Sequence, residues 1–162
     1  MKNEVNKNLA QIAELLIKNN LTIAVAESCT SGLLQNKFSL ADDAMTFFQG
    51  GMTAYNAGQK AKHLNINPIF AEQCNSVSKE IAEQMALNIA DSFNAEIGIS
   101  VTGYAQPVPA DGIESCFAHI AFSKNDKVVL SSKIKGDPTL SLAENQEIYA
   151  VKIFEKLLQI LK

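Results

Sequence analysis

Ser28 and Lys60 are of the types that could form a nucleophile and its base. A serine hydroxyl attacks poorly until a neighbouring group takes its proton, and enzymes often hold such a serine on a sharp strand-to-helix turn. The stretch Ala-Glu-Ser-Cys-Thr-Ser-Gly at 26–32 has that context, although it is not a GxSxG elbow. Local sequence leaves a second role open, because Ser28, Thr30 or Ser31 would each cap a helix starting near residue 30. The two roles are compatible, since a helix start also stabilises an anion. For the base, His63 and His119 are the only histidines, and neither has an evident carboxylate to orient it. A lysine in an apolar pocket loses its proton near neutrality and can take that role instead. Lys60 follows a glycine-bearing strand, and Lys62 faces elsewhere; composition alone favours a surface position for Lys60. Cys29 reads either as an activated thiol at a helix start or as a small residue packing under the turn.

Positioning these groups falls to an alternation of helices and strands. Val5, Leu9, Ile12 and Leu16 share one helical face and predict a helix over 3–19, ended by Asn19-Asn20. A strand at 22–26 leads into the polar cluster and a helix at 30–38. After a loop at 41–43, residues 46–55 predict a strand interrupted by Gly50-Gly51. A helix at 57–63 carries Lys60. Ser78 caps a helix whose Ile81, Met85, Ile89 and Phe93 repeat every four residues. A strand at 96–101 ends at Thr102-Gly103, and the proline- and glycine-bearing segment 104–114 is a loop. Strands at 117–122 and 127–134 form a hairpin around Lys124-Asn125-Asp126. The last helix, 140–161, is expected to bury Ile148, Val151, Phe154, Leu157, Leu158 and Leu161. This order predicts an α/β fold with a mixed sheet and helices on both faces. Ligands in such folds sit beyond the carboxyl ends of the strands. Two strands end there in hydroxyl residues, at Ser28 with Thr30 and at Thr102.

The rest of the sequence narrows the function classes. No repeat or linker interrupts residues 1–162, so one continuous domain is expected. The formal net charge is −3 with no basic run, which gives no nucleic-acid footprint. All 14 basic residues are Lys. Any bound anion must therefore be met by lysine, backbone N–H groups or helix N-termini, never by a guanidinium. No stretch approaches the roughly 18 apolar residues of a membrane span. The N-terminus reads as a helix rather than an export signal. Cys29, Cys74 and Cys116 lack metal-ligand spacing, so reduced thiols in a cytoplasm are expected, without a metal or other cofactor.

In order along the chain, AESCTSGLL, GGMTAYNAGQK, NSVSKEIAEQMA and EIGISVTGYAQP closely resemble the motifs of the CinA C-terminal domain family. Standalone members of that family are nicotinamide mononucleotide amidases. The likeness runs from the first helix to the last. It implies a three-layer αβα fold and hydrolysis of nicotinamide mononucleotide to nicotinate mononucleotide and ammonia by a serine/lysine pair. By this resemblance Ser28 is the nucleophile, Lys60 its base, and Tyr55 and Thr102 further catalytic hydroxyls. Substrate contacts are expected from Glu27, Thr30, Ser31, Gly32, Gly103 and Gln106. Self-association is also implied.

Several positions depart from the family pattern. Ser31 replaces a glycine, Ala57 and Gly58 replace an asparagine and a glutamate, and Gly103-Tyr104-Ala105-Gln106-Pro107 lacks a glycine. Cys116 stands where the family has glycine, and Pro138 where it has an arginine suited to a phosphate. The bond-making groups are retained while the groups around the substrate differ. A different, unphosphorylated amide, or binding without catalysis, are the alternatives this pattern leaves open.

Overall fold

The computed structural model describes residues 2–162, and the surroundings of side chains from residue 7 onward. Five strands form one sheet in the order β2-β1-β3-β4-β5. The strands are β1 (Ile23–Glu27), β2 (Phe48–Thr53), β3 (Ile97–Tyr104), β4 (Phe117–Lys124) and β5 (Lys127–Lys135). β1 pairs in parallel with β2 and β3, whereas β3, β4 and β5 run antiparallel, so the sheet is mixed. The helices are α1 (Lys2–Lys18), α2 (Leu33–Ser39), α3 (Ala44–Phe47), α4 (Ala57–Leu64), α5 (Pro68–Gln73), α6 (Lys79–Ser92) and α7 (Leu142–Leu161).

Alternation along the strands sorts side chains between the two helical layers. In β1, Ile23 and Val25 enter the larger core with α1, α2 and α7. Ala24 and Ala26 point the other way, into the core with α4, α5 and α6. In β3, Ile97, Ile99 and Val101 take the first face, leaving Gly98, Ser100 and Thr102 for the second. Small residues on that second face let α6 approach closely. A Cβ on Gly98 would collide with the Ala86 carbonyl, and Ser100 Oγ donates to Ala82 O at 2.5 Å. β1 is buried on both faces, as a central parallel strand should be.

The structure corrects several expected boundaries. α2 begins at Leu33, not 30, because the turn at 28–32 contains two left-handed residues, Ser31 (φ 49°) and Gly32 (φ 93°). The expected strand at 46–55 is one helical turn, α3, followed by β2; Phe47 closes the turn and packs into the core. α5 has no counterpart among the expected elements, although Asn67-Pro68 is a cap followed by proline at the first helical position. Thr102 lies inside β3 rather than after it. The loop at 104–114 includes a 3-10 turn, Pro109–Asp111. In α7 the buried face is centred on Tyr149, Ile153 and Phe154, with Ile148 and Val151 half-buried at its edge. Leu9, Ile12 and Leu16 are buried as their spacing predicts, and the side chain of Val5 lies outside the described residues. Among the described residues no helix is long and apolar enough to cross a membrane.

Candidate active site

β1 has parallel neighbours on both sides, so the carboxyl ends of β2, β1 and β3 lie side by side. That is the place where open α/β sheets gather a ligand site. The chain beyond β2 supplies Tyr55, the chain beyond β1 supplies Ser28, and β3 supplies Thr102. The alternation that sends Glu27 towards α2 turns Ser28 towards α4, where Lys60 waits.

Lys60 is one of the largest fully buried side chains, 1% exposed. α4 is capped by Asn56, whose side chain accepts from Gln59 N, and buries Lys60 and Leu64 one turn apart while Lys62 and His63 stay exposed. Lys60 Nζ lies 2.9 Å from Ser28 Oγ, donating to it when it is an ammonium. Burial pushes the Lys60 ammonium down from 10.5 to about 8. A lysine so placed is neutral in an appreciable fraction of molecules near neutral pH, and it can then accept the Ser28 proton.

The turn that carries Ser28 is held from three sides. Ser28 N donates to Val101 O at 3.0 Å, and Gln146 Nε2 of α7 donates to Cys29 O at 2.8 Å. The third hold is the Glu27 carboxylate, fully buried, which accepts from Gly32 N, Leu34 N and Gln35 N at 3.1, 3.1 and 2.8 Å. Glu27 therefore caps α2, and the hydroxyls of Ser28, Thr30 and Ser31 do not. Ser31 N donates to Ser28 O, which leaves Cys29 and Thr30 as the turn residues whose N–H groups have no acceptor among the described residues. Burial pushes the Cys29 thiol up to about 12, so at neutral pH it is a packed thiol rather than a nucleophile.

A cavity of about 410 Å³ opens over the pair and is lined by Ser28, Lys60, Tyr55, Thr102, Gly103 and Gln106 among others. Glu27, Thr30, Ser31 and Gly32, expected to touch substrate, do not line it. Thr102 Oγ1 donates to Ser76 O at 2.7 Å, so its proton is engaged with the backbone. Tyr55 is 60% exposed at the rim. Cys116 lies away from the cavity, packed between Gly136 and Asn145, and does not obstruct it. His63 is exposed and His119 is half-buried on β4 beside Lys133 and Phe117; neither lines the cavity.

Sequence spacing does not single out Gln146, whose side chain reaches the turn from 117 positions away, or the cavity wall formed by Glu72, Asn75 and Ser76. Asn75 and Ser76 are consecutive left-handed residues (φ 49° and 58°). Asparagine tolerates that conformation, so Asn75 is the local signal for a turn there. Ser76 Oγ is buried without a hydrogen-bond partner.

Comparison with known proteins agrees with this architecture. The family model described as the CinA C-terminal domain matches residues 5–158. A protein named as competence-damage inducible from Alkaliphilus oremlandii is 40% identical over 96 residues, 59% of this chain and 23% of its own length. One of the same name from Clostridium botulinum (strain Langeland) is 45% identical over 96 residues, 59% of this chain and 24% of its own. The chain thus spans about a quarter of the length of the curated relatives it matches. A solved CinA superfamily protein from Escherichia coli superposes with a TM-score of 0.89 at 22% identity, covering 96% of this chain and 90% of that one. A competence or damage-inducible protein from Enterobacter asburiae gives 0.90 at 23% identity, covering 98% of each. At such identities the two structures speak for the fold alone, a mixed-sheet α/β fold. With most of its length matched by the family model, this chain belongs to the CinA C-terminal domain family.

Proposed function

We propose that this chain is a serine amidohydrolase of the nicotinamide mononucleotide amidase type, converting a ring carboxamide and water to the carboxylate and ammonia. The observation that carries the reading is the buried 2.9 Å approach of Lys60 Nζ to Ser28 Oγ at the floor of an open cavity. Neutral Lys60 takes the Ser28 proton as Oγ bonds to the carboxamide carbon. The free N–H of Cys29, which lines the cavity beside Ser28, stabilises the resulting oxyanion. Lys60 returns the proton to the nitrogen as the C–N bond breaks and ammonia leaves, with the exposed Tyr55 hydroxyl near the departing group. Water, deprotonated by Lys60, then releases the acid from the acyl-serine. No cofactor enters this sequence of steps. The setting is a cytoplasm, the partner is a small amide rather than nucleic acid or membrane, and the protein self-associates.

Ammonia release from nicotinamide mononucleotide, its riboside and free nicotinamide tests the reading. Ser28→Ala loses the nucleophile and falls at least about 10³-fold. Lys60→Ala loses the general base and falls by about 10²–10⁴-fold. Both should keep the wild-type circular-dichroism spectrum. Ammonia release at the wild-type rate by either variant would refute the assignment.

A further inference from the structure

We infer that the amide taken by this cavity carries a neutral, hydroxyl-bearing group such as a sugar, rather than a phosphate. The inference rests on the amidohydrolase reading above and names its substrate class. Two charged side chains line the cavity, Lys60 and Glu72. Lys60 is buried against Ser28, whereas Glu72 is exposed, so the charge met by an entering ligand is a carboxylate. Beside it stand neutral polar groups: Asn75, Tyr104 and Gln106. Asn75 Nδ2 donates to Tyr104 Oη at 2.8 Å, which leaves the Tyr104 O–H as a donor and the Asn75 carbonyl as an acceptor for a ligand. Groups that both donate and accept suit sugar hydroxyls. A phosphate dianion would instead share the cavity with the Glu72 carboxylate, in a chain with no arginine to offset it.

Lys60 points the same way. An anion in the cavity favours the charged ammonium, and a protonated lysine cannot accept the Ser28 proton. A cationic heteroaromatic ring bearing a neutral sugar does the opposite. It is repelled by the ammonium, so it holds Lys60 in its basic form, and it is attracted by Glu72.

The test compares ammonia release from nicotinamide riboside and nicotinamide mononucleotide by the full chain. The expected kcat/KM for the riboside exceeds that for the nucleotide at least tenfold, and Glu72→Lys narrows or reverses the ratio. A nucleotide kcat/KM equal to or above the riboside's overturns the inference, as does a Glu72→Lys variant with an unchanged ratio. If neither compound is hydrolysed, the hydrolytic reading is at fault. Titration calorimetry of Ser28→Ala with the same two probes then decides the substrate class. Tighter riboside binding upholds it, and tighter nucleotide binding or no binding of either overturns it.

Discussion

The rate of the chemistry proposed for Ser28 depends on how often Lys60 is unprotonated, and burial sets that fraction. With the Lys60 ammonium pushed down to about 8, the basic form gains about tenfold per pH unit below that value and saturates above it. The pH profile of kcat/KM should therefore climb through neutrality and level off just above pH 8. A profile that instead levels off near pH 6.5 would point to a histidine base, and one still climbing at pH 10 to an unperturbed lysine. The same burial lowers stability. Lowering Lys60 from 10.5 to about 8, at about 1.4 kcal/mol per pH unit, disfavours the folded protein by roughly 3–4 kcal/mol while the lysine is charged. Lys60→Met removes that term and leaves Ser28 Oγ without its partner, a loss of about 1 kcal/mol. Urea unfolding at pH 7 should show Lys60→Met more stable than wild type by about 2 kcal/mol, and inactive. A variant less stable than wild type would contradict this account of the buried charge.

At the scale of elements, the turn after β1 is held more by Glu27 than by its own hydroxyls. α2 has seven residues, too few to persist without help, and its start draws on a carboxylate five to eight positions back. Glu27→Ala strands three N–H groups in a buried setting and should lower stability by about 3 kcal/mol; Glu27→Gln, which keeps one acceptor oxygen, should lose less. Equal losses in denaturant unfolding would remove the carboxylate from its capping role. The sequence shows part of this arrangement and hides the rest, for definable reasons. The alternation Ile-Ala-Val-Ala-Glu-Ser already separates Glu27 from Ser28, and Lys60 four positions before Leu64 already places both on one helical face. Near a helix start, local rules look for a hydroxyl within three residues. A glutamate folding back over Ser31 and Gly32 depends on the turn's left-handed geometry, which those rules do not contain. Gln146 is hidden more completely, because its partner Cys29 O is a backbone atom 117 positions away. α3 is hidden because a single turn of Ala44–Phe47 joined directly to Phe48 looks like one apolar run.

Across the whole molecule, three buried groups give stability a pH optimum that none of them would produce alone. Between about 8 and 10.5 the folded chain holds fewer protons at Lys60 than the unfolded chain does, so stability rises with pH across that window. Cys29 acts in the opposite sense. Its thiol, pushed from 9.0 to about 12 chiefly by burial, keeps its proton in the fold while the unfolded thiol ionises, and stability falls from about pH 9 upward. Tyr149, fully buried and shifted upward from 10.0 for the same reason, adds a second decline above about pH 10. Stability should therefore rise from pH 8, peak near pH 9 and decline beyond pH 10. The groups belong to different layers, Lys60 on α4 beneath one face and Tyr149 on α7 beneath the other, with Cys29 on the turn between. Each can thus be removed separately. Thermal unfolding in steps from pH 7 to 11 should show the rise vanish in Lys60→Met. In Cys29→Ala the rise should continue about one unit further, to about pH 10, where Tyr149 begins to offset it. A wild-type curve that falls steadily from pH 7, or a Lys60→Met curve that keeps the rise, would show that these buried groups do not govern the alkaline stability of the fold.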